Sequence, residues 1–138
     1  MPNRNRGTRP AVSGSSFAPP SEPVNHDEET PKFCLRFLRS DFDVHALEQN
    51  RQAAFAKTLQ KLASSRWKEL ITAPRHGQGT EHIPRAQIRA PIPPQFCDRD
   101  KFMVFRYDGR LPMGGVRVGD VYHVLWIEPE FGRLYDHG

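Results

Sequence analysis

Arginine, tyrosine and histidine side chains gather in the last third of the chain, from Lys101 to Gly138. Arg106 follows the apolar run Phe102–Phe105, Arg117 lies between Val116 and Val118, His123 interrupts Val121–Ile127, and Tyr135 and His137 stand near the end. These residue types suit metal-independent cleavage of RNA. That reaction needs the ribose 2′-OH deprotonated, the phosphate charge neutralised and the departing 5′-oxygen protonated. His and Tyr exchange protons, and Arg matches phosphate oxygens. Arg106 and Arg117 bracket one phosphate if their strand segments are neighbours and both side chains face one side; otherwise each covers a sheet edge or pairs with a carboxylate. Tyr135 and His137 form an acid/base pair if Arg133-Leu134-Tyr135 pairs as an edge strand, and belong to a frayed terminus if it does not. His123 reads either as a satisfied core histidine or as a half-buried acid or base. Strict alternation puts it on one face with Val121, Leu125 and Ile127, and puts Tyr122, Val124 and Trp126 on the other.

A second cluster surrounds the loop Arg75-His76-Gly77-Gln78-Gly79-Thr80. Arg75 and His76 there could hold phosphate at the rim of a site, with backbone N–H groups freed by the two glycines; the alternative is a plain connection. Neither Gly77-Gln78-Gly79 nor Gly114-Gly115 matches a P-loop or dinucleotide fingerprint, so no nucleotide cofactor is expected. The six histidines show none of the spacings of zinc sites, and no metal is expected; a spatial cluster of His76, His82 and His137 is the one alternative. Cys34 and Cys97 are the only cysteines and lie far apart, which suits reduced structural thiols in a cytoplasmic protein rather than a disulfide framework. The 138 residues carry a formal charge of +4 and a pI near 9.4, a moderate basic excess that favours nucleic acid or another acidic partner. No apolar run reaches the roughly 20 residues of a membrane span, and no membrane partner is expected.

The elements that must position these groups follow from periodicity. Residues 1–31 are rich in Pro, Ser, Gly, Asn and charge and read as a disordered tail. Residues 32–138 then form one domain. Lys32 to Arg39 alternates as a first strand. Ser40 to Asp43 offers N-cap oxygens, and Val44, Leu47, Ala54, Phe55, Leu59 and Leu62 fall on one face of a long helix over 44–63. Trp67, Leu70 and Ile71 mark a short second helix ended by Pro74. Glu81 to Arg89 reads as a strand weakened by Pro84, and Pro91, Pro93 and Pro94 force an extended connection. Three strand-like runs close the chain, with Gly119-Asp120 as either a tight hairpin turn or a bulge. The fold expected is α+β: an N-terminal strand and one long plus one short helix packed on a small twisted antiparallel sheet.

That order of elements, with the helix from Val44 to Leu62, the Arg106-Tyr107 strand, the Arg117 strand, the Val121–Ile127 strand and the terminal Arg133-Leu134-Tyr135, resembles the RelE/ParE-type toxin superfamily of toxin–antitoxin systems. The likeness covers about 100 residues as a pattern rather than a strict motif, and the Arg75–Pro94 insert and the N-terminal tail depart from it. The resemblance implies an endoribonuclease that cuts messenger RNA, often on the ribosome, and an antitoxin protein as partner. Its ParE branch acts instead on DNA gyrase. A non-catalytic module of the same fold, binding nucleic acid or protein, is the other reading.

Overall fold

A computed structural model of the protein describes residues 24–73 and 79–137. The elements in chain order are β1 (Lys32–Cys34), α1 (Gln49–Leu62), α2 (Trp67–Thr72), β2 (Glu81–Pro84), β3 (Lys101–Asp108), β4 (Leu111–Val118) and β5 (Val121–Ile127), with short 3-10 turns at Val44–Ala46, Arg85–Gln87 and Pro94–Phe96. The strands form one open five-stranded sheet in the order β1-β5-β4-β3-β2. The class is the α+β expected. The sheet is mixed rather than wholly antiparallel, because β1 runs parallel to β5 while the other pairs are antiparallel.

Both faces of the sheet are buried, by different means. On one face α1 and α2 lay Phe55, Leu62, Trp67 and Leu70 against Met103, Phe105, Tyr107, Met113, Tyr122 and Val124. All six apolar positions of the expected long helix reach this core: Leu47, Phe55 and Leu62 are buried in it, and Val44, Ala54 and Leu59 pack on its margin. The regular helix nevertheless begins only at Gln49. Asp43 caps a separate 3-10 turn, its carboxylate accepting the Ala46 N–H at 3.2 Å. Leu47 then turns extended. Among the described residues, the other face carries no helix longer than a 3-10 turn. The Pro-rich connection and the C-terminal segment cover it with Ala90, Phe96, Leu134 and Tyr135, packed on Phe102, Val104, Val116, Leu125 and Trp126.

Glycine sets the twist of the central hairpin. The pairing of β4 with β5 shifts between Gly114 and Gly115, since Gly115 faces Val124 and Gly114 faces Trp126. Leu125 is therefore an extra, bulged residue. A Cβ on Gly115 would lie 1.9 Å from the His123 carbonyl oxygen, so no other residue fits this backbone approach. The bulge also reverses the alternation. Trp126 joins Leu125 on the loop-covered face and Ile127 moves to the helix face, opposite to the strict alternation expected for both. Gly119-Asp120 is a two-residue hairpin turn, with Gly119 at φ +64°.

The boundary at residue 31 shifts as well. Residues 24–31, assigned to the tail by composition, pack against α2. The first N–H groups of a helix lack partners within it. Here the Glu29 and Asp27 carbonyls accept the Trp67 and Lys68 N–H groups at 2.9 and 2.8 Å. Residues 1–23 lie outside the described residues.

Candidate functional site

The terminal residues Tyr135 and His137 are held, not frayed. The expected edge strand reduces to a single bridge between Ile88 and Tyr135, reinforced by the Arg89 N–H donating to the Leu134 carbonyl at 2.7 Å and the Arg89 guanidinium donating to the Gly132 carbonyl at 2.9 Å. Leu134 is fully buried and Tyr135 nearly so. This anchoring places the His137 ring between two aromatic rings. It stacks on Phe131 at 4.0 Å between centroids and on Tyr135 at 4.2 Å.

One edge of the same imidazole meets a carboxylate. Nε2 of His137 lies 3.0 Å from Oε1 of Glu128. Glu128 is fully buried, and its second oxygen accepts the Leu134 N–H at 2.7 Å. Burial raises the Glu128 pKa above the ordinary carboxyl value, while the Leu134 N–H and His137 oppose that rise. The Glu128 backbone is fixed too. Its carbonyl accepts the Tyr107 hydroxyl at 2.6 Å, and its N–H donates to the Pro112 carbonyl at 3.0 Å. The Tyr107 phenol, buried here, has its pKa pushed up to about 12 and remains a donor.

A polar cleft of about 230 Å³ opens beside this pair, lined by Glu81, Ile83, Gln87, Arg106, Arg110, Tyr135, Asp136 and His137. The Arg106 side chain is exposed at its wall with no ion pair among the described residues. Arg110 lies over the Phe131 ring at 4.6 Å, extending the stack by a cation. The cleft thus joins an oriented imidazole, a phenol and two guanidinium groups. Such a set can remove a proton, supply a proton and neutralise a phosphate.

Of the residues singled out from sequence, Arg106, Tyr135 and His137 come together. Arg117 does not join them. It lies on the helix face, its guanidinium 4.4 Å over Trp67 and 2.8 Å from the Asp27 carboxylate, whereas Arg106 shares the loop-covered side with Phe102 and Val104. The two arginines cannot bracket one phosphate, because they stand on opposite faces of the sheet. His123 is also apart. It packs between Phe37 at 5.7 Å and Phe96 at 5.5 Å. Its Nδ1 is buried with no hydrogen-bond partner, and burial, helped by Arg99, lowers its pKa. Arg75 and His76 lie outside the described residues. Sequence reading missed Glu128, Phe131 and Arg110. The sole signal for Glu128 was an acidic residue directly after an apolar strand, a position that ordinarily faces solvent.

Among the described residues one group has metal-ligand character. Atoms of His26, Glu29 and Asp120 lie within 4.8 Å of one another, but the Lys32 ammonium already sits on the Asp120 carboxylate. His82 and His137 line different clefts and do not form the alternative histidine cluster. Among the described residues, Cys34 and Cys97 are free thiols, and no helix is long and apolar enough to cross a membrane. Comparison with protein-family models, curated proteins and solved structures gave no match.

Proposed function

We propose that this protein is a metal-independent endoribonuclease, a messenger-RNA-cleaving toxin similar to the RelE/ParE-type superfamily. The observation that carries this reading is His137, stacked on both faces and bound at Nε2 by a fully buried carboxylate. That arrangement fixes the ring orientation and leaves Nδ1 as the nitrogen that works on a substrate. Nδ1 takes the proton of a ribose 2′-OH, and the buried Glu128 carboxylate stabilises the imidazolium that forms. The 2′-oxygen then bonds to phosphorus as the P–O5′ bond breaks, giving a 2′,3′-cyclic phosphate. Tyr135 supplies the proton to the leaving 5′-oxygen, and Arg106 and Arg110 balance the charge on the phosphoryl oxygens. Oriented proton transfer of this type contributes roughly 10²–10⁴-fold to rate.

In this reading the protein works in the cytoplasm, where its free thiols stay reduced. It meets RNA there, free or ribosome-bound, and is held in check by an antitoxin protein. The test is a labelled RNA incubated with the full chain in EDTA. We expect cleavage to a 2′,3′-cyclic phosphate, and no cleavage where a 2′-deoxyribose precedes the scissile bond. Tight RNA binding with intact RNA would instead establish a non-catalytic module. Trapped cleaved DNA with gyrase present would establish the ParE-like alternative.

A further inference from the structure

We infer that a second cleft, on the opposite side of edge strand β2 from His137, is a phosphate subsite that makes the substrate an extended single strand of RNA. This inference rests on the nuclease reading and adds to it the length and conformation of what is bound.

The cleft measures about 280 Å³ and is lined by His82, Arg99, Asp100, Lys101, Met103, Gly115, Val116 and Arg117. Gly115 forms part of its floor because no side chain fits there. Its cations are differently engaged. Arg117 is neutralised by Asp27, but Arg99, Lys101 and His82 have no ion pair among the described residues. Elsewhere Arg51, Arg66 and Arg133 are paired, with Asp108, Glu28 and Glu130. Lys101 and Arg117 each lie two residues beyond the paired Met103 and Gly115, on the same side of that pair and on adjoining strands. With Arg117 engaged by Asp27, Lys101 and Arg99 are the cations left to meet an anion, and both suit charge-assisted hydrogen bonds to phosphate. Asp100, between Arg99 and Lys101 in the chain, is also on the lining.

The two clefts are connected by strand geometry. Glu81 and Ile83 line the first and His82 lines the second. Neighbouring residues of a strand point to opposite faces. Both clefts therefore open at one sheet edge, separated by the thickness of β2. Along β3, Lys101 and Arg106 lie five positions apart, about 17 Å at strand rise. A few nucleotides span that length and can bend round the edge. A duplex, stiff over a far longer distance, cannot place phosphates in both.

The test uses the intact chain, the double variant Arg99→Ala/Lys101→Ala, and a fluorescent eight-nucleotide 2′-O-methyl oligouridylate that cannot be cleaved. A two-nucleotide 2′-O-methyl probe reaches only the His137 cleft. We expect the double variant to bind the long probe at least tenfold more weakly, with the slope of log affinity against log salt reduced by about 1.4, the loss of two phosphate contacts on a single strand. Binding of the short probe stays unchanged, as does the cleavage rate at saturating RNA. The charge-conserving variant Arg99→Lys/Lys101→Arg retains the long-probe affinity. Equal affinity and slope for the intact chain and the Ala variant would overturn the subsite while leaving cleavage untouched. Tighter binding of duplex than of single strand would overturn it as well. Failure of the intact chain to bind either probe would remove both this inference and the nuclease reading.

Discussion

At the scale of single residues, the orientation of the His137 ring depends on how one carboxylate is housed. Glu128 is fully buried, and burial raises its pKa above 4.5 despite the opposing Leu134 N–H and His137. A carboxyl with a raised folded-state pKa binds more protons folded than unfolded, so its stabilising contribution is present at low pH and is lost as pH rises through the folded value. Replacing Glu128 with Gln should flatten the dependence of the urea midpoint on pH above about 4.5. The same variant presents an amide N–H to Nε2 and forces the other tautomer on His137. RNA cleavage should then fall roughly 10²-fold or more with the circular dichroism unchanged. His123 works in the opposite sense. Its pKa lies below 6.5, lowered by burial and then by Arg99, so its contribution is present above 6.5 and is lost as pH falls through the folded value. His123→Phe, which fills the space between Phe37 and Phe96 without an orphaned nitrogen, should weaken the loss of stability on mild acidification, read as thermal midpoint against pH. Part of that loss will persist, because His82 shifts in the same direction.

At the scale of elements, the glycines of the central hairpin make unequal demands. Gly115→Ala would place a methyl group 1.9 Å from a backbone carbonyl. Because that neighbour cannot swing away, the bulge must distort, and the expected loss is about 3 kcal/mol by chemical denaturation. Gly109→Ala meets no atom within 4 Å and strains only a backbone at φ +57°, so about 1 kcal/mol is expected. Equal losses at the two sites would contradict the bulge. These elements were unevenly legible in the sequence. Helix periodicity identified every apolar contact of α1, because a 3.6-residue repeat survives a local break such as the 3-10 turn before Gln49. The strands β3 and β5 and the Gly115–Val118 half of β4 were legible for the same reason, since alternation and Gly turns are local, whereas the Leu111–Gly114 half, interrupted by Pro112, was not. The parallel docking of β1 was not. It depends on contacts across most of the chain, such as the Lys32 N–H donating to the Asp120 carbonyl at 2.9 Å. Nor was the reversal at Leu125, since an inserted residue leaves no mark on an apolar run.

At the scale of the whole molecule, the site is made where the C-terminal segment returns across the sheet. Arg106, Tyr135 and His137 were legible as chemistry-bearing residues, and two separate segments, β3 and the C-terminal stretch, bring them to one cleft. Arg117 and His123 carry the same chemistry in sequence, yet tertiary position commits the first to Asp27 and Trp67 and the second to an aromatic slot. Glu128 was hidden because the need for a buried acid arises only once His137 folds back on it. This architecture makes the terminus part of the core as well as of the site. Leu134→Ala removes a fully buried side chain and should destabilise the protein by about 2–5 kcal/mol in urea, whereas Asp136→Ala, at an exposed position, should change stability little. The most direct measurement is single-turnover cleavage of a labelled RNA in EDTA by the intact chain and by His137→Gln, both checked for folding by circular dichroism. Oriented proton transfer at His137 predicts cleavage by the intact chain and at least a roughly 10²-fold slower rate in the variant. Equal rates for the two proteins, or no cleavage by either, would contradict it.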